Sequence, residues 1–320
     1  MVRLSALGDV AMSLHVLSTL RARDSSAHIG WVVEDRFASL LEGHPQIDAL
    51  HVYQRHRSKL RLPGLIRSLR KQAYDVVLDL QGNLKSGLLA RASGARRRIG
   101  FDRIYSREGN GLFLNERVPA ARMNRVDAYI KLVDAAVGTG PNAFAVWPAE
   151  PEGHGAVVLH PCVSSFFANK AWSGDHYAEL GDRLARRLDA PVLISAGPGE
   201  RPQAERVATG MKQATRIVEP DGLCGLRDML AGARLVVGGD TGPIHMAAAL
   251  GVPTLGLMGP TDPETLAPYG RRAAAATSGA RCSPCASPFA ISKLRWCPDP
   301  VCMSRLSVDA VEQAALELLA

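Results

Sequence analysis

The feature that most restricts the fold of this 320-residue chain is residues 235–262, which predict a strand, a glycine-rich turn, a helix and a second strand in direct succession. The apolar run Leu235–Val237 is typical of a buried strand, and the two glycines after it allow a backbone to approach a ligand closely. Gly251 can end the helix, and Pro253–Met258 predicts the next strand. A unit of this kind belongs to a parallel sheet covered by helices.

The turn inside this unit is suited to an anion. Asp240 or Thr241 can cap the helix that Pro243 opens. The amides of that helix start point out of the carboxyl end of the sheet, where open α/β sheets bind their ligands. The polar turn at 259–263 follows the second strand and adds a loop at the same edge. A nucleotide diphosphate fits this pattern, and an ordinary βαβ turn without a ligand shares it.

Short apolar segments alternate with amphipathic ones in two series, which predicts two doubly wound α/β domains. The predicted strands are His28–Val33, Ala49–Tyr53, Val76–Leu80 and Arg98–Gly100 in the first series, and Ala156–His160, Pro191–Ala196, Arg216–Val218, Leu235–Gly238 and Pro253–Met258 in the second. The predicted helices are Val10–Arg23, Leu60–Gln72, Asn83–Ser93 and Met123–Val137, then Gly174–Leu188, Arg201–Met211, Gly225–Ala233, Pro243–Leu250 and Ser307–Leu319.

The glycine- and proline-rich stretch 138–155 predicts the linker between these series. We therefore expect one domain over 1–145 and a second over 146–320, with the last helix free to pack back on the first domain. The 47% apolar and 22% charged residues exclude a disordered, collagenous or coiled-coil chain. No stretch is long and apolar enough for a membrane span, and no leader is recognisable, so we expect a cytoplasmic protein.

The formal net charge of +7 favours partners that carry phosphates or other anions. Basic residues concentrate in the first half of the chain, although any one of them can simply face water. One cluster comprises Arg55, Arg57, Lys59, Arg61, Arg67, Arg70 and Lys71, and another comprises Arg91, Arg96, Arg97, Arg98 and Arg103.

Four cysteines fall close together near the end, at Cys282, Cys285, Cys297 and Cys302. The spacing C-x2-C-x11-C-x4-C is compatible with four thiolates around zinc. The loop between them is rich in proline and serine and lacks the usual symmetry of a zinc ribbon, so free thiols and a redox-labile disulfide remain open. We expect no catalytic role for this cluster.

Several motifs occur in a specific order along the chain. They are Val2-Arg-Leu-Ser-Ala-Leu-Gly-Asp-Val10, Trp31-Val-Val-Glu-Asp35, Asp79-Leu-Gln-Gly-Asn-Leu-Lys-Ser86, Gly239-Asp-Thr-Gly-Pro-Ile-His245 and Gly259-Pro-Thr-Asp262. In this order the chain resembles glycosyltransferase family 9, the ADP-heptose:lipopolysaccharide heptosyltransferases, over nearly its whole length. It is more similar to the type I enzymes, which add the first heptose to the Kdo sugar, than to type II. The resemblance implies a GT-B type fold, in which two Rossmann-like domains face a cleft.

Asp9 is the candidate catalytic residue. Its turn, Ser5–Asp9, lies between a first strand and an amphipathic helix, and an aspartate there can simply cap the helix. An inverting sugar transfer needs one carboxylate to accept the proton of the acceptor hydroxyl. The resemblance implies that Asp9 is this base.

The resemblance places the donor, ADP-heptose, in the second domain. Lys170 corresponds to a phosphate-binding lysine, and Glu200 to an acid that binds the ribose or base. The remaining expected donor residues are Ser164 and Ser165 near the phosphates, Thr241 and Gly242 at the diphosphate, Asp240 on heptose hydroxyls and His245 as a hydrogen-bond donor. We expect no catalytic metal and no cofactor, because a helix start and Lys170 can neutralise the diphosphate, and the chain lacks the Asp-x-Asp pair of metal-dependent transferases.

The resemblance also implies a lipid-linked acidic sugar as acceptor. Its expected ligands are Arg55, Arg57, Lys59 and Arg61, with Lys85 and Arg98 as further candidates. Basic residues near an anionic leaflet contribute on the order of 1 kcal/mol each to membrane attraction. We therefore expect a peripheral protein on the cytoplasmic face of the inner membrane.

Other function classes fit less well. A dinucleotide oxidoreductase needs G-x-G-x-x-G, and Gly197-Pro-Gly199 has no third glycine in place. Only 5% of the residues are aromatic, which argues against nucleic-acid binding. Another nucleotide-sugar transferase, or an epimerase on the same architecture, remains the alternative. The first strand, Met1–Leu4, is short for a central strand, which suggests a true start upstream.

Overall fold

The structure is a computed structural model. It describes residues 1–102, 105–119, 121–145, 147, 155–285, 297 and 299–320, and the side chains of 57–60 and 165–166 lie outside that description. The chain divides into two compact units, Met1–Pro148 (unit 1) and Ala149–Ala320 (unit 2). None of the helices in the described part combines the length and apolar character that crossing a membrane requires.

In unit 1, parallel strands alternate with helices along the chain. Its strands are β1 (Gly30–Glu34), β2 (Ala49–Tyr53), β3 (Val76–Asp79), β4 (Arg97–Phe101) and β5 (Glu116–Val118). Its helices are α1 (Leu7–Arg23), α2 (Asp35–Leu41), α3 (Ser58–Lys71), α4 (Leu84–Ala92) and α5 (Arg125–Val137), with 3-10 turns at Arg55–Arg57 and Asn110–Phe113. β1 pairs with β2, and β3, β4 and β5 pair in that order, all in parallel.

The amino-terminal segment connects these two groups of strands. Val2 forms parallel bridges to Val32 on one side and to Asp79 on the other. Trp31, which is fully buried, donates its indole N–H to the carbonyl of Arg3 at 3.1 Å. Backbone hydrogen bonds extend this pairing from Met1 to Leu4, so the predicted first strand is present as a short paired segment at the centre of the unit. Its carboxyl end leads directly into α1.

Unit 2 contains one six-stranded parallel sheet in the order β11-β10-β9-β6-β7-β8. The strands are β6 (Val157–His160), β7 (Val192–Ser195), β8 (Thr215–Val218), β9 (Leu235–Gly239), β10 (Thr254–Leu257) and β11 (Ala273–Ala276). The helices are α6 (Gly174–Leu188), α7 (Arg201–Gly210), α8 (Gly222–Ala231), α9 (Gly242–Ala249), α10 (Pro263–Leu266), α11 (Val301–Ser304) and α12 (Val308–Glu317), with a 3-10 segment at Ser165–Lys170. α12 packs on α6, β10 and β11.

The predicted α/β alternation in two series is confirmed, but the helices α2, α10 and α11 and the strands β5 and β11 were not predicted. α2 has only seven residues, β5 only three, and β11 is a run of alanines with no strand preference of its own. These elements are stabilised by the strands and helices that they contact and not by the preferences of their own residues. The predicted helix at Gly225–Ala233 begins three residues earlier, at Gly222. Of the predicted linker 138–155, residues 146 and 148–154 lie outside the described residues.

Candidate active site

The strand order of unit 2 reverses between β6 and β9, which lie side by side although three helices and two strands separate them in sequence. Ligands of open α/β sheets bind at such a reversal, beyond the carboxyl ends of the strands. The loop after β6 brings Lys170 there, and the turn after β9 brings Asp240. Lys170 Nζ lies 2.6 Å from Asp240 Oδ2, so the sequence-predicted phosphate-binding lysine and sugar-binding acid meet at this edge.

Asp240 also contacts His245, whose Nε2 lies 3.1 Å from Asp240 Oδ1. Burial opposes ionisation of Asp240, but the hydrogen bond from His245 and the charge of Lys170 outweigh burial and hold its pKa far below the ordinary value. His245 itself is buried, and its Nδ1 has no hydrogen-bond partner in the described part of the chain. Lys170, Asp240 and His245 therefore form one charged triad with an ionised acid at its centre.

The helix start beside the triad differs in detail from the prediction. Thr241 occupies the N-cap position of α9, but its side chain does not cap the helix; its hydroxyl donates to the Gly239 carbonyl at 3.3 Å. The Asp240 carboxylate contacts Lys170 and His245 instead of the helix start. The prediction that one of these two side chains caps α9 was therefore wrong. The uncapped start of α9, at Gly242, keeps the anion-binding character of a helix amino terminus.

The other predicted donor residues lie in neighbouring loops. Glu200 is the N-cap of α7, and its Oε2 accepts a hydrogen bond from the Gly197 amide at 2.7 Å. The Cys162 thiol donates to the Glu200 carbonyl at 3.7 Å, which ties this loop to the loop after β6. Ser164 is exposed in that loop, and the side chain of Ser165 lies outside the described residues.

In unit 1, Asp9 lies at the carboxyl end of the central segment. It is not in the turn before the helix, as predicted, but is the third residue of α1. Its Oδ2 accepts from the Ala6 amide at 3.3 Å and pairs with Arg3 at 2.5 Å. The Asp9 side chain keeps 27% of its surface exposed, so it can meet a substrate.

Asp9 also has two neighbours from α5. The Tyr129 hydroxyl donates to Oδ1 at 3.3 Å, and Arg125 lies 3.9 Å from the same oxygen. Burial raises the pKa of Asp9, but the charges of Arg3 and Arg125 outweigh burial and hold the pKa below its ordinary value. Asp9 is therefore ionised at neutral pH, as a general base must be.

Part of the predicted basic surface converges on one buried acid. Glu34, at the end of β1, is 3% exposed. Lys85 lies 3.7 Å and Arg55 4.0 Å from its carboxylate, and Lys85 also lies over the Tyr53 ring at 4.9 Å. Arg36, which the prediction missed, pairs with Glu34 at 3.0 Å. Three cations around one carboxylate leave a surplus of positive charge suited to an anionic ligand.

Arg98 and Arg61 are the other predicted acceptor residues whose side chains the structure describes. Arg98 donates to the backbone carbonyls of Phe113 and Ala95, at 2.8 Å each, so its contacts hold the chain around β4 and do not support an acceptor role. Arg61 is exposed on α3. The side chains of Arg57 and Lys59 lie outside the described residues.

The Asp79–Ser86 motif has a structural role in this fold. The buried Asp79 carboxylate accepts hydrogen bonds from Ser86 Oγ at 2.9 Å and Asn110 Nδ2 at 2.6 Å. Burial raises the pKa of Asp79, and these bonds compensate only in part. The network fixes the start of α4, which carries Lys85.

Cys282, Cys285, Cys297 and Cys302 are free thiols in this structure. The Cys285 amide donates to the Pro260 carbonyl at 3.0 Å, and the buried Cys302 has its Sγ 3.0 Å from where a Cβ on Gly259 would lie, so both ends of the cluster pack near the turn after β10. Residues 286–296 of the loop lie outside the described residues. Among the residues that are described, no group of three or more His, Cys, Asp or Glu side chains is arranged to hold a metal ion.

The prediction from sequence missed Arg3, Arg125 and Tyr129, although a signal for two of them exists. Arg125 and Tyr129 are four residues apart on α5, so they share one face of the helix. That face packs against α1. An arginine and a tyrosine on a buried helix face need polar partners, and Asp9 in the first turn of α1 is such a partner.

Comparisons with known proteins extend this picture. The family model for glycosyltransferase family 9 (heptosyltransferase) matches residues 63–291. The chain is 32% identical over 305 residues to lipopolysaccharide heptosyltransferase 1 of Pseudomonas aeruginosa, covering 89% of this chain and 85% of the relative. The solved structure of E. coli heptosyltransferase WaaC with ADP is similar at a TM-score of 0.78 and 26% identity, covering 99% of this chain and 98% of that one. WaaC with ADP-2-deoxy-2-fluoro heptose gives a TM-score of 0.75 at 26% identity, with the same coverage. These matches confirm the predicted resemblance and the predicted GT-B type fold.

Proposed function

Because this chain belongs to glycosyltransferase family 9, the heptosyltransferases, we propose that it transfers heptose from ADP-heptose to the inner core of lipopolysaccharide. The observation that carries this proposal is the triad of Lys170, Asp240 and His245 beside the uncapped start of α9, at the strand reversal of unit 2. This edge offers a cation and a helix amino terminus to a diphosphate, and an ionised acid to sugar hydroxyls. Unit 2 is accordingly the donor-binding domain.

The leaving ADP needs positive charge at the moment the sugar bond breaks. Lys170 and the helix start at Thr241 and Gly242 supply it, and no metal ion takes part in this scheme. Asp240 binds hydroxyl groups of the heptose, because two anions in contact would repel each other. Glu200, with Ser164 and Ser165, holds the ribose and the phosphates.

Asp9 is the general base of unit 1, the acceptor-binding domain. As the acceptor oxygen attacks the anomeric carbon, its O–H bond breaks and the proton moves to Asp9. The electron pair of the bond between the anomeric carbon and the phosphate oxygen leaves with ADP, and the configuration inverts. Lys85 and Arg55, held by Glu34, bind the anionic groups of the acceptor. We assign the Kdo sugar of the inner core as that acceptor.

The acceptor is lipid-linked, so the site of action in this proposal is the cytoplasmic face of the inner membrane. The basic residues of the first half hold unit 1 near anionic lipid by electrostatic attraction.

The direct test is mass spectrometry of the products formed from a panel of ADP- and UDP-sugars with a Kdo-bearing lipid acceptor. We expect a heptose mass increment with ADP-heptose only. A product from a UDP-sugar but not from ADP-heptose would overturn the assignment. A parallel reaction in excess EDTA tests the metal-free scheme, which is wrong if turnover stops and magnesium restores it.

A further inference from the structure

The two oxygens of Asp9 have different surroundings. Oδ2 is anchored, because it accepts from the Ala6 amide and forms the 2.5 Å pair with Arg3. Oδ1 has looser neighbours, the Tyr129 hydroxyl at 3.3 Å and Arg125 at 3.9 Å. An oxygen with long contacts can exchange them for a substrate proton at less cost than one in a short ion pair. Oδ1 is therefore the oxygen suited to accept a proton.

Two guanidinium groups surround this single carboxylate. Arg3 comes from the central segment and is 4% exposed, and its guanidinium lies 5.4 Å from the centre of the Tyr129 ring. Arg125 comes from α5 and lies 5.0 Å from the centre of the Tyr105 ring. The charged and titratable neighbours that act on Asp9 and Arg125 are these two arginines and the two phenols. Asp9 is the one acid among them in the described part of the chain.

The Arg125 charge also acts on the Tyr129 hydroxyl, one helical turn away on α5. That hydroxyl, in turn, donates its own proton to Oδ1. Arg125 thereby acts on Asp9 in two ways, directly through its charge and indirectly through its effect on the phenol that contacts Oδ1. Burial raises the pKa of Tyr129, so the phenol stays protonated and remains a donor.

We propose that Arg125 and Tyr129 are positioning residues for the proton transfer, with Arg125 keeping Asp9 ionised and Tyr129 holding Oδ1 in place for the acceptor hydroxyl. This inference rests on the proposed role of Asp9 as base. Neither residue takes the substrate proton, which ends on Oδ1. A purely structural alternative is that the pair only fastens α5 to α1, in which case its loss lowers stability without changing the protonation of Asp9.

The pH dependence of kcat/KM for heptose transfer separates these alternatives. The rate requires ionised Asp9, so its acid limb lies at the pKa of that group. Removing a cation about 4 Å away raises a carboxyl pKa by about 1–3 units. Arg125→Met should therefore move the acid limb upward by at least about one pH unit, and Arg125→Lys should restore most of the shift. Tyr129→Phe keeps the ring and removes the donor, so its limb should also move upward and its kcat should fall, with the KM for ADP-heptose unchanged.

Lys131→Met is the matched control on the same helix, because Lys131 is half exposed and pairs only with Asp134 among the contacts described. Its pH profile should equal that of the parent enzyme. An Arg125→Met enzyme with an unmoved limb overturns the proposal, whether or not its rate falls. If Arg125→Met does not fold, the test uses Tyr129→Phe. An unmoved acid limb in the pH profile of that variant also overturns the proposal. Asp9→Asn is assayed alongside: if it retains turnover, the assignment of the base is wrong, whereas if it is inactive while both α5 variants keep the parent profile, only the present inference fails.

Discussion

Asp240 sits between the Lys170 ammonium at 2.6 Å and the His245 imidazole at 3.1 Å. Without a bound donor, the Asp240 carboxylate forms an ion pair with Lys170. The lysine side chain is only 14% exposed, so without this partner its charge would be poorly solvated. In the proposed scheme, a bound diphosphate brings its own negative charge to Lys170 and frees Asp240 for sugar hydroxyls. The triad can thus exchange one internal ion pair for contacts with both halves of the donor.

This exchange predicts opposite effects of two substitutions on ADP binding. Lys170→Met removes the cation, so the Kd for ADP should rise by about 10-fold or more, the equivalent of one charge-assisted hydrogen bond. Asp240→Asn removes the competing anion, so ADP should bind as well as before or more tightly, while use of ADP-heptose falls. Calorimetry with ADP alone measures both. Equal weakening by the two substitutions would contradict the proposed division of roles.

A second prediction concerns Asp9. Asp9→Asn removes the base but keeps the size of the side chain, so transfer should fall by about 10²–10⁴-fold, while the affinity for ADP stays at the parent value. Asp24→Asn is the control, because Asp24 lies at the other end of α1 and bonds only to Ser26 among its described side-chain partners. Turnover of Asp9→Asn within tenfold of the parent would rule out its role as base.

Among the secondary-structure elements, the proposed donor site depends on how closely β9 approaches β6. A Cβ atom on Gly238 would lie 2.7 Å from the His160 carbonyl oxygen and 2.8 Å from Cδ1 of Ile244. The first neighbour is strand backbone and cannot move without breaking the sheet. Glycine at 238 is therefore what lets the turn that carries Asp240 lie against the loop of Lys170.

Gly238→Ala should accordingly destabilise the protein by about 1–3 kcal/mol, with a lower Tm and weaker ADP binding. Gly64→Ala is the matched control, because no atom lies within 4 Å of its Cβ position and it sits inside α3. Alanine is favoured over glycine in a helix by about 0.5–1 kcal/mol, so this variant should gain stability. Thermal denaturation of both variants checks the pair. An unchanged Tm for Gly238→Ala would mean that the strands can separate locally.

Elements formed by local residue preferences could be predicted from the sequence, whereas contacts between distant elements could not. The 235–262 unit was predicted almost completely, because its strand, glycines and helix all depend on local residue preferences. The surroundings of Asp9 were not, since Arg3, Arg125 and Tyr129 approach it from 6, 116 and 120 positions away in sequence. Contacts of that kind are set by the packing of α5 on α1. The contact between Arg98 and the Phe113 carbonyl, 15 residues away, was not predicted for the same reason.

On the scale of the whole molecule, the charge is unevenly placed. Residues 49–74 contain seven arginines and lysines and no acidic residue, a surplus equal to the net charge of the entire chain, +7. Helix α3 carries much of it. Leu65 and Leu69 face the core, while Arg67 and Lys71 are exposed beside Pro63 and Ile66 along an open groove. A basic face with apolar residues between the charges suits an anionic lipid surface.

The corresponding prediction is that the protein floats with vesicles containing anionic phosphatidylglycerol, that it does not float with neutral vesicles, and that added salt weakens the binding. Each basic residue near the surface contributes on the order of 1 kcal/mol, so Arg67→Glu with Lys71→Glu should weaken binding by at least about tenfold. Arg186→Glu with Arg187→Glu changes the net charge equally on exposed positions of α6 in unit 2, and should have a much smaller effect. Equal losses in the two double variants would show that net charge alone matters and that α3 is not the membrane-facing element. A parent protein that stays unbound at low salt would contradict the proposed membrane association, because the basic surplus of residues 49–74 would then have failed to hold the protein on an anionic surface.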